Sequence, residues 1–370
     1  MMGNRTALVE AVVLALCIAC GRAAHATTQA DAAGTELTRI VDNLLSNESL
    51  YENLEVRLRT ESQLGEPINR LPIYLARGDR SSRFVSQQGM LYVSHDGKDV
   101  AVSGEIQDGS YRAGFDGLTT RVVDQESVAN IRDGRSPDLS GFRPHTIFLV
   151  ESAGVDFPLS QFLRGDVFLR SLPRFRDMTT RITYVGDDEI QDLKCHKLRI
   201  EYLIDSWTDR SRPHVRFLWI APDRNYLAVR TEFFQSPWNE NDDPMEVGWV
   251  EDLREIAPGV WFPFRSVLRV FDVASYEHGR HVVANTIKKF VEMAKLDPQY
   301  DVGLFRNIEI PNGVDVYVFQ GDKLVRKYTQ GGAHTQPPQA RSFPWMTVAL
   351  TVAFGAFLAF HRHRRRARAA

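Results

Sequence analysis

The chain has 370 residues, 43% hydrophobic and 25% charged, with a formal net charge of −2. That composition excludes a disordered or fibrous chain, and the near-neutral balance argues against the concentrated basic face of a nucleic-acid binder. The length suits one large β domain or two smaller ones.

Residues 1–26 read as a signal peptide. Arg5 supplies the positive start, Ala11 to Ala19 the short apolar core, and Ala24-His25-Ala26 the small-x-small cleavage pattern that leaves Thr27 first. A competing reading takes Cys17-Ile18-Ala19-Cys20-Gly21 as a lipoprotein box with Cys20 acylated, although Cys17 stands where leucine belongs. In the mature chain only Cys195 remains, so no internal disulfide is available and stability rests on the core. Residues 27–34 form a small-residue, flexible leader.

Thr35 can cap a helix in which Leu37, Ile40, Val41, Leu44 and Leu45 make one apolar stripe ending near Asn47. Leu54 to Thr60 alternates with period two, which predicts a half-buried strand with Leu54, Val56 and Leu58 inward. Short alternating runs follow at Ser82 to Val85, Met90 to His95 and Val100 to Val102, with turns at Gly89, Asp96-Gly97 and Asp108-Gly109. Tyr111 to Phe115 and Thr119 to Val123 form another pair around Asp116-Gly117. Glu126 to Thr180 is irregular, broken by Pro137, Pro144, Pro158 and Pro173, with short helical pieces at Thr146 to Glu151 and Leu159 to Leu163. It is either a lid or packing with no ligand.

Strands resume at Ile182 to Val185, with a turn at Gly186 to Glu189 and a strand from Lys194 to Leu203. Cys195 and His196 are strand neighbours that point to opposite faces, so His196 cannot activate Cys195, which reads as a small buried hydrophobe. Val215 to Ile220 and Tyr226 to Phe234 make a hairpin through Pro222-Asp223-Arg224-Asn225. An acidic loop, Trp238 to Glu246, leads to a second hairpin, Val247 to Leu253 and Val260 to Phe271, turning at Pro258-Gly259; Pro263 belongs at an edge or bulge. His281 to Leu296, Leu304 to Phe319 and Leu324 to Tyr328 complete about eleven strands. The expected fold is mainly β with a few helices, a curved antiparallel sheet or half-open barrel spanning residues 35–330 as one domain.

Residues 331–342 read as a linker. Phe343 to Phe360 carries no charge and would make a helix about 27 Å long, enough to span a bilayer core. His361 to Arg368 is a basic tail, which the positive-inside rule places in the cytoplasm and the domain in the periplasm. The same short helix and arginines also resemble a removable sorting signal, without its usual Pro-Glu-Pro box.

The phrases "LWIAPDRNYLAVRTEF", "PGVWFPFRSVLRVF" and "LFRNIEIPNGVDVYVF" resemble the closing half of the LolA/LolB-like family of periplasmic lipoprotein carriers. The likeness runs over roughly residues 35–328 and is better after Gly186. It implies a half-barrel with helices over its open side, a lipid or lipidated protein as partner, and an apolar cavity lined by Trp219, Phe233, Trp261, Phe264 and Phe290.

The mature chain has no nucleophile elbow, Walker loop, dinucleotide glycines, HExxH or CxxC pair, and no cofactor or catalytic residue is assigned. Asn239 to Asp243 lacks the glycine and distant glutamate of a calcium loop, and His278 and His281 lack convergent partners for zinc. Glu251, Asp252 and Glu255 stand beside Arg254 and Arg265 and read as surface ion pairs. The leading expectation is a non-enzymatic, membrane-tethered protein that binds a lipid or acyl chain. The alternative is a structural or protein-interaction domain whose barrel its own side chains fill.

Overall fold

A computed structural model describes residues 34–65, 76–100, 106–108, 110–124, 127–134, 144–145, 158–164, 178–204, 213–235, 243–272, 275, 279–321 and 323–332. The signal peptide, Cys17 and Cys20, residues 343–360 and the basic tail lie outside the described residues, as does Thr146 to Glu151. Among the described residues no helix is long and apolar enough to cross a membrane.

Helix α1 covers residues 34–48, and a single 3-10 turn, Ser49–Tyr51, delivers the chain into the sheet. The first run of strands is β1 (Leu54–Leu64), β2 (Ala76–Gln87), β3 (Met90–Val100), β4 (Ile106–Asp108), β5 (Tyr111–Phe115), β6 (Thr119–Asp124) and β7 (Val128–Asp133). The short helix α2 (Leu159–Leu163) follows. The second run is β8 (Met178–Ile190), β9 (Leu193–Ile204), β10 (His214–Ala221), β11 (Leu227–Phe234), β12 (Glu246–Ala257), β13 (Val260–Phe271) and β14 (Val283–Leu296). Helix α3 (Gly303–Arg306) and the hairpin β15 (Asp315–Gln320) and β16 (Lys323–Thr329) close the described chain.

These strands form one open, curved sheet in the order β16-β15-β7-β6-β5-β3-β2-β1-β14-β13-β12-β11-β10-β9-β8, with β4 paired to β3 off that path. The sheet is thus larger than the eleven strands expected. Part of the difference is that β7 lies inside the stretch read as irregular and that β4 is only three residues long. Among the described strands the pairings are antiparallel except β15 against β7, which is parallel. The two meanders, β1 to β7 and β8 to β14, meet where β1 pairs with β14 from Leu54↔Leu296 to Leu64↔Asn285.

Several turns fall where the sequence places them: Gln88-Gly89, both at positive φ; Gly117; Pro258-Gly259; and Asn225, which is left-handed at φ 54°. Two expected turns are strand interior instead. Asp96-Gly97 lies inside β3, where Gly97 serves a close approach: a Cβ there would sit 2.5 Å from the Asp79 carbonyl oxygen. Gly186 lies inside β8 at a register shift, and the reversal comes later at Gln191-Asp192, both at positive φ. The beginning of the run Leu304 to Phe319 is likewise α3 and not strand. Pro263 stands beside a register shift in β12 and outside the stretch of β13 that pairs with β14, so its missing N–H removes no bond on that side.

The principal core lies on one face of the sheet, where β1 contributes Leu54, Val56 and Leu58 and α1 contributes Ile40, Val41 and Leu44. A second cluster, on the opposite face, joins Val123, Ala129, Val314 and Val316 to Ile308 just after α3. Asp116 anchors that end: its carboxylate accepts from the Leu118 and Thr119 amides at 3.1 and 2.8 Å and from Arg121 and Arg306. Burial pushes this carboxyl up, but those amides and guanidinium groups outweigh it and hold it at about 2.

Phe262, fully buried in the principal core, should lose about 3–5 kcal/mol of stability on Phe262→Ala in urea unfolding, whereas Leu324→Ala on the exposed edge should stay within about 0.5 kcal/mol. Asp116 ionises below its unfolded value of 3.8, so its stabilisation is complete above that pH and is lost as pH falls towards 2. Acid titration of Asp116→Asn should show a shallower loss of stability across that window than the parent chain, and an unchanged slope would contradict the assignment.

Candidate binding face

Alternation with period two divides every strand between two faces. On β10, Leu218 and Ile220 point into the principal core, while Phe217, Trp219 and Ala221 belong to a third cluster on the other side with Cys195 and Val229. The core side is the concave face, because α1 and α2 lie against it. It carries Phe84, Leu91, Val93, Leu198, Ile200 and Val250 among its buried side chains.

Among the described residues, the cover over this face comes from helices α1 and α2. Helix α2 presents Leu159, Phe162 and Leu163 inward, five residues in all from Leu159 to Leu163. It is tied to α1 by the buried Glu48 carboxylate, which accepts from the Ser160 amide at 3.2 Å and from the Ser160 hydroxyl. An exposed ion pair, Arg164 to Asp42 at 2.9 Å, adds a second tie. The turn residue Asn225 fastens α1 to the sheet, since its amide donates to Asn47 Oδ1 at 3.1 Å and to the Gly259 carbonyl at 3.0 Å. At the sheet edge His196 Nδ1 lies 2.7 Å from Asp187 Oδ1, and Tyr184 donates to the same oxygen at 2.8 Å.

The concave face also holds charge. Arg216 stands two residues before Leu218 and is therefore turned inward; it donates to Glu246 Oε2 at 3.1 Å and Thr231 Oγ1 at 3.0 Å, and its guanidinium lies 4.9 Å from the Phe233 ring centroid. Both partners of this ion pair are 4% exposed. His214, on the same face beside Phe233, is pushed down by burial, which favours its neutral form.

The five aromatics expected to line a cavity do not converge. Phe233 and Phe264 pack against the concave core. Trp219, Trp261 and Phe290 alternate to the convex side, each against cations: Lys197 Nζ is 4.7 Å from the Trp219 ring, Arg224 4.0 Å from Trp261, and Arg59 and Arg265 lie at 4.9 and 5.8 Å from Phe290. Register carries the convex pattern onward, placing Lys197, Trp219, Arg230 and Trp249 in one row across β9 to β12. Trp219 also donates through Nε1 to Asp188 at 2.9 Å. Cys195 is buried on that side, away from His196, and burial pushes its thiol up to about 11. Asp252 pairs with Arg254 at 2.7 Å, as expected of a surface pair, while Glu255 instead accepts from the Gly259 amide at 2.5 Å.

The residues missed from sequence are the inward-facing polar ones, Arg216, Glu246 and Tyr202. Alternation alone could have found them: in His214-Val215-Arg216-Phe217-Leu218, the inward Leu218 fixes Arg216 on the same face.

No family model matches the chain, and no curated protein matches it. Among solved structures it is similar to a DUF1329 family protein from Desulfovibrio piger at 12% identity and TM-score 0.37, covering 73% of this chain and 96% of that one. It is also similar to a domain from Vibrio parahaemolyticus provisionally described as outer membrane lipoprotein-sorting, at 8% identity and TM-score 0.34, with 73% and 96% covered. A third is the lipoprotein LppX of Mycobacterium tuberculosis, at 9% identity and TM-score 0.26, with 72% and 98% covered. The group named by the resemblance in the sequence thus recurs among the structural matches. At these scores the likeness assigns no activity, and the functional reading stands on this chain's own residues.

Breaking the buried ion pair by Arg216→Met should destabilise the fold by about 3–5 kcal/mol, because Glu246 is left charged among apolar groups. The double change Arg216→Met with Glu246→Leu should restore most of that loss in thermal unfolding, and a purely additive result would contradict the pairing.

Proposed function

We propose that this domain binds a lipid, or the acyl chain of a lipidated protein, on the concave face of its open sheet. The observation that carries this reading is the nature of the cover. Among the described residues a broad apolar face is closed by α1 and the five-residue α2, whereas a β-sandwich closes such a face with a second full sheet. Opening a five-residue helix locally is far less demanding than unfolding the sheet. Apolar surface uncovered in this way is matched by hydrocarbon at about 25 cal/mol per Å². Of the five aromatics, Phe233 and Phe264 are assigned to the lining, and the other three brace the sheet from behind. Binding of this kind needs no covalent step.

The apolar stretch 343–360 and the arginines after it suit an anchor in the inner membrane with the domain on the periplasmic side. Tethering fits a receptor, local acceptor or sensor of envelope lipids or lipoproteins better than a carrier that must leave the membrane. A filled scaffold is the second reading, favoured by Ile40, Leu44 and Leu159, which occupy the concavity with almost no exposure.

A photoreactive fatty acid supplied to cells expressing the full chain separates the two. Cross-links should map to concave-face peptides of β9, β10 and β13, and Phe264→Glu should reduce them about tenfold, a loss of about 1.4 kcal/mol in affinity. Labelling confined to residues 343–360 would overturn the binding reading and favour the scaffold.

A further inference from the structure

Tyr202, on β9, faces the concavity with Leu198 and Ile200 and is 7% exposed. Its ring is held between two others: Phe162 of α2 stands 6.3 Å away at a tilt of 33°, and Phe233 stands 6.4 Å away, edge-on. The hydroxyl at its tip has no hydrogen-bond partner among the described residues. It lies beside the Arg216 guanidinium, which can only donate, so the phenolic proton finds no acceptor there. Glu246, the carboxylate nearby, is bonded to Arg216 at 3.1 Å and not to this hydroxyl. Buried hydroxyls are nearly always bonded, and one left unmade is costly. A phenylalanine would fill the same space between Phe162 and Phe233 without that cost. The orphan donor therefore calls for an acceptor that arrives from outside.

Helix α2 brings Phe162 to this ring, so its opening uncovers a flank of Tyr202. The acceptor that then enters is uncharged. Burial pushes the phenol up, which keeps it a neutral donor, and the Arg216 to Glu246 pair already balances its own charge. An anionic group would meet the Glu246 carboxylate and would also have to leave water for an apolar face. A carbonyl oxygen meets the hydroxyl with neither cost. Ile200 and Leu198 follow Tyr202 along β9 on the same face, and Leu218 stands opposite Leu198 on β10, so hydrocarbon continues directly from the polar point. One acceptor followed by a chain is the form of an acyl ester.

We infer that the Tyr202 hydroxyl donates to the ester carbonyl of a bound acyl chain, which then lies along Ile200, Leu198 and Leu218. This deepens the lipid-binding reading above and rests on it. It makes the face selective for acyl esters over chains of equal length that lack a carbonyl, whether the ester belongs to a free glycerolipid or to the diacylglyceryl group of a lipidated protein.

The test is native mass spectrometry of the full chain in detergent, offered dioleoylglycerol and the dioleyl ether of glycerol in equal amounts. The parent chain should take the ester with about a tenfold preference, and Tyr202→Phe should reduce this to about twofold or less. The same variant should melt at or above the temperature of the parent, because it loses an unbonded hydroxyl and keeps the ring. Equal uptake of ester and ether by the parent overturns the ester seat and leaves lipid binding standing; this comparison needs no variant. Uptake of neither overturns both. A preference that survives Tyr202→Phe, or a variant that melts well below the parent, also overturns the assignment, since the hydroxyl would then serve the fold. A peptide carrying a diacylglyceryl cysteine, offered against dioleoylglycerol, separates the two sources: stronger uptake of the peptide assigns the ester to a lipidated protein and stronger uptake of the diacylglycerol to a free lipid, and either supports the seat when Tyr202→Phe weakens it.

Discussion

The ladder between β1 and β14 is the constraint on which the rest of this molecule depends. Each meander on either side of it is built from neighbours in sequence, but this one pairing joins residues more than two hundred positions apart and merges two small sheets into a single concave surface. Closing so long a loop carries an entropic cost that grows with the logarithm of its length. The ladder offsets it on both faces. Leu58 and Val291 meet in the concave core, and Arg59 stacks on Phe290 behind them.

The sheet divides its labour between faces. The concave side is aliphatic and aromatic, interrupted by inward polar groups whose charge is matched in place, as Glu246 matches Arg216. The convex side is a lattice of cations over aromatic rings and of ion pairs, with Arg230 to Glu232 along β11 at 2.6 Å as one example. Such contacts are worth about 0.5–1 kcal/mol each at exposed positions. They let large rings such as Trp249 and Phe290 stand on a solvated surface without a second sheet to cover them. A sheet stabilised from behind needs no second sheet over its front, where α1 and α2 lie among the described residues.

Much of the fold was legible because local patterning decides it. Leu54-Glu55-Val56-Arg57-Leu58 could only be a strand with one face buried, and Pro258-Gly259 could only be a turn. Glycines misled where their use was not local. Gly97 answers to the carbonyl of Asp79 on the neighbouring strand, and Gly186 to a register shift, and neither partner is visible from the residues alongside. The aromatics misled for a related reason. Trp219 and Phe290 look like cavity lining because they are large, but facing is set by parity along the strand: Leu218 and Val291 take the inward places and send them outward. Parity was also the unused signal for Arg216. The β1 to β14 pairing had no sequence signal at all, since either strand could have found several apolar partners.

The account's central claim is that the concave face holds a lipid in the cell, and the most direct measurement is the mass of what accompanies the protein. Full-length chain purified from the envelope, extracted with solvent and analysed by mass spectrometry, should yield an acyl-containing lipid in near-equal amount to protein. That lipid should be depleted when Phe264 is replaced by glutamate in a chain that still melts cooperatively. A parent chain that carries no more lipid than the variant would contradict the claim and leave the half-barrel a filled scaffold.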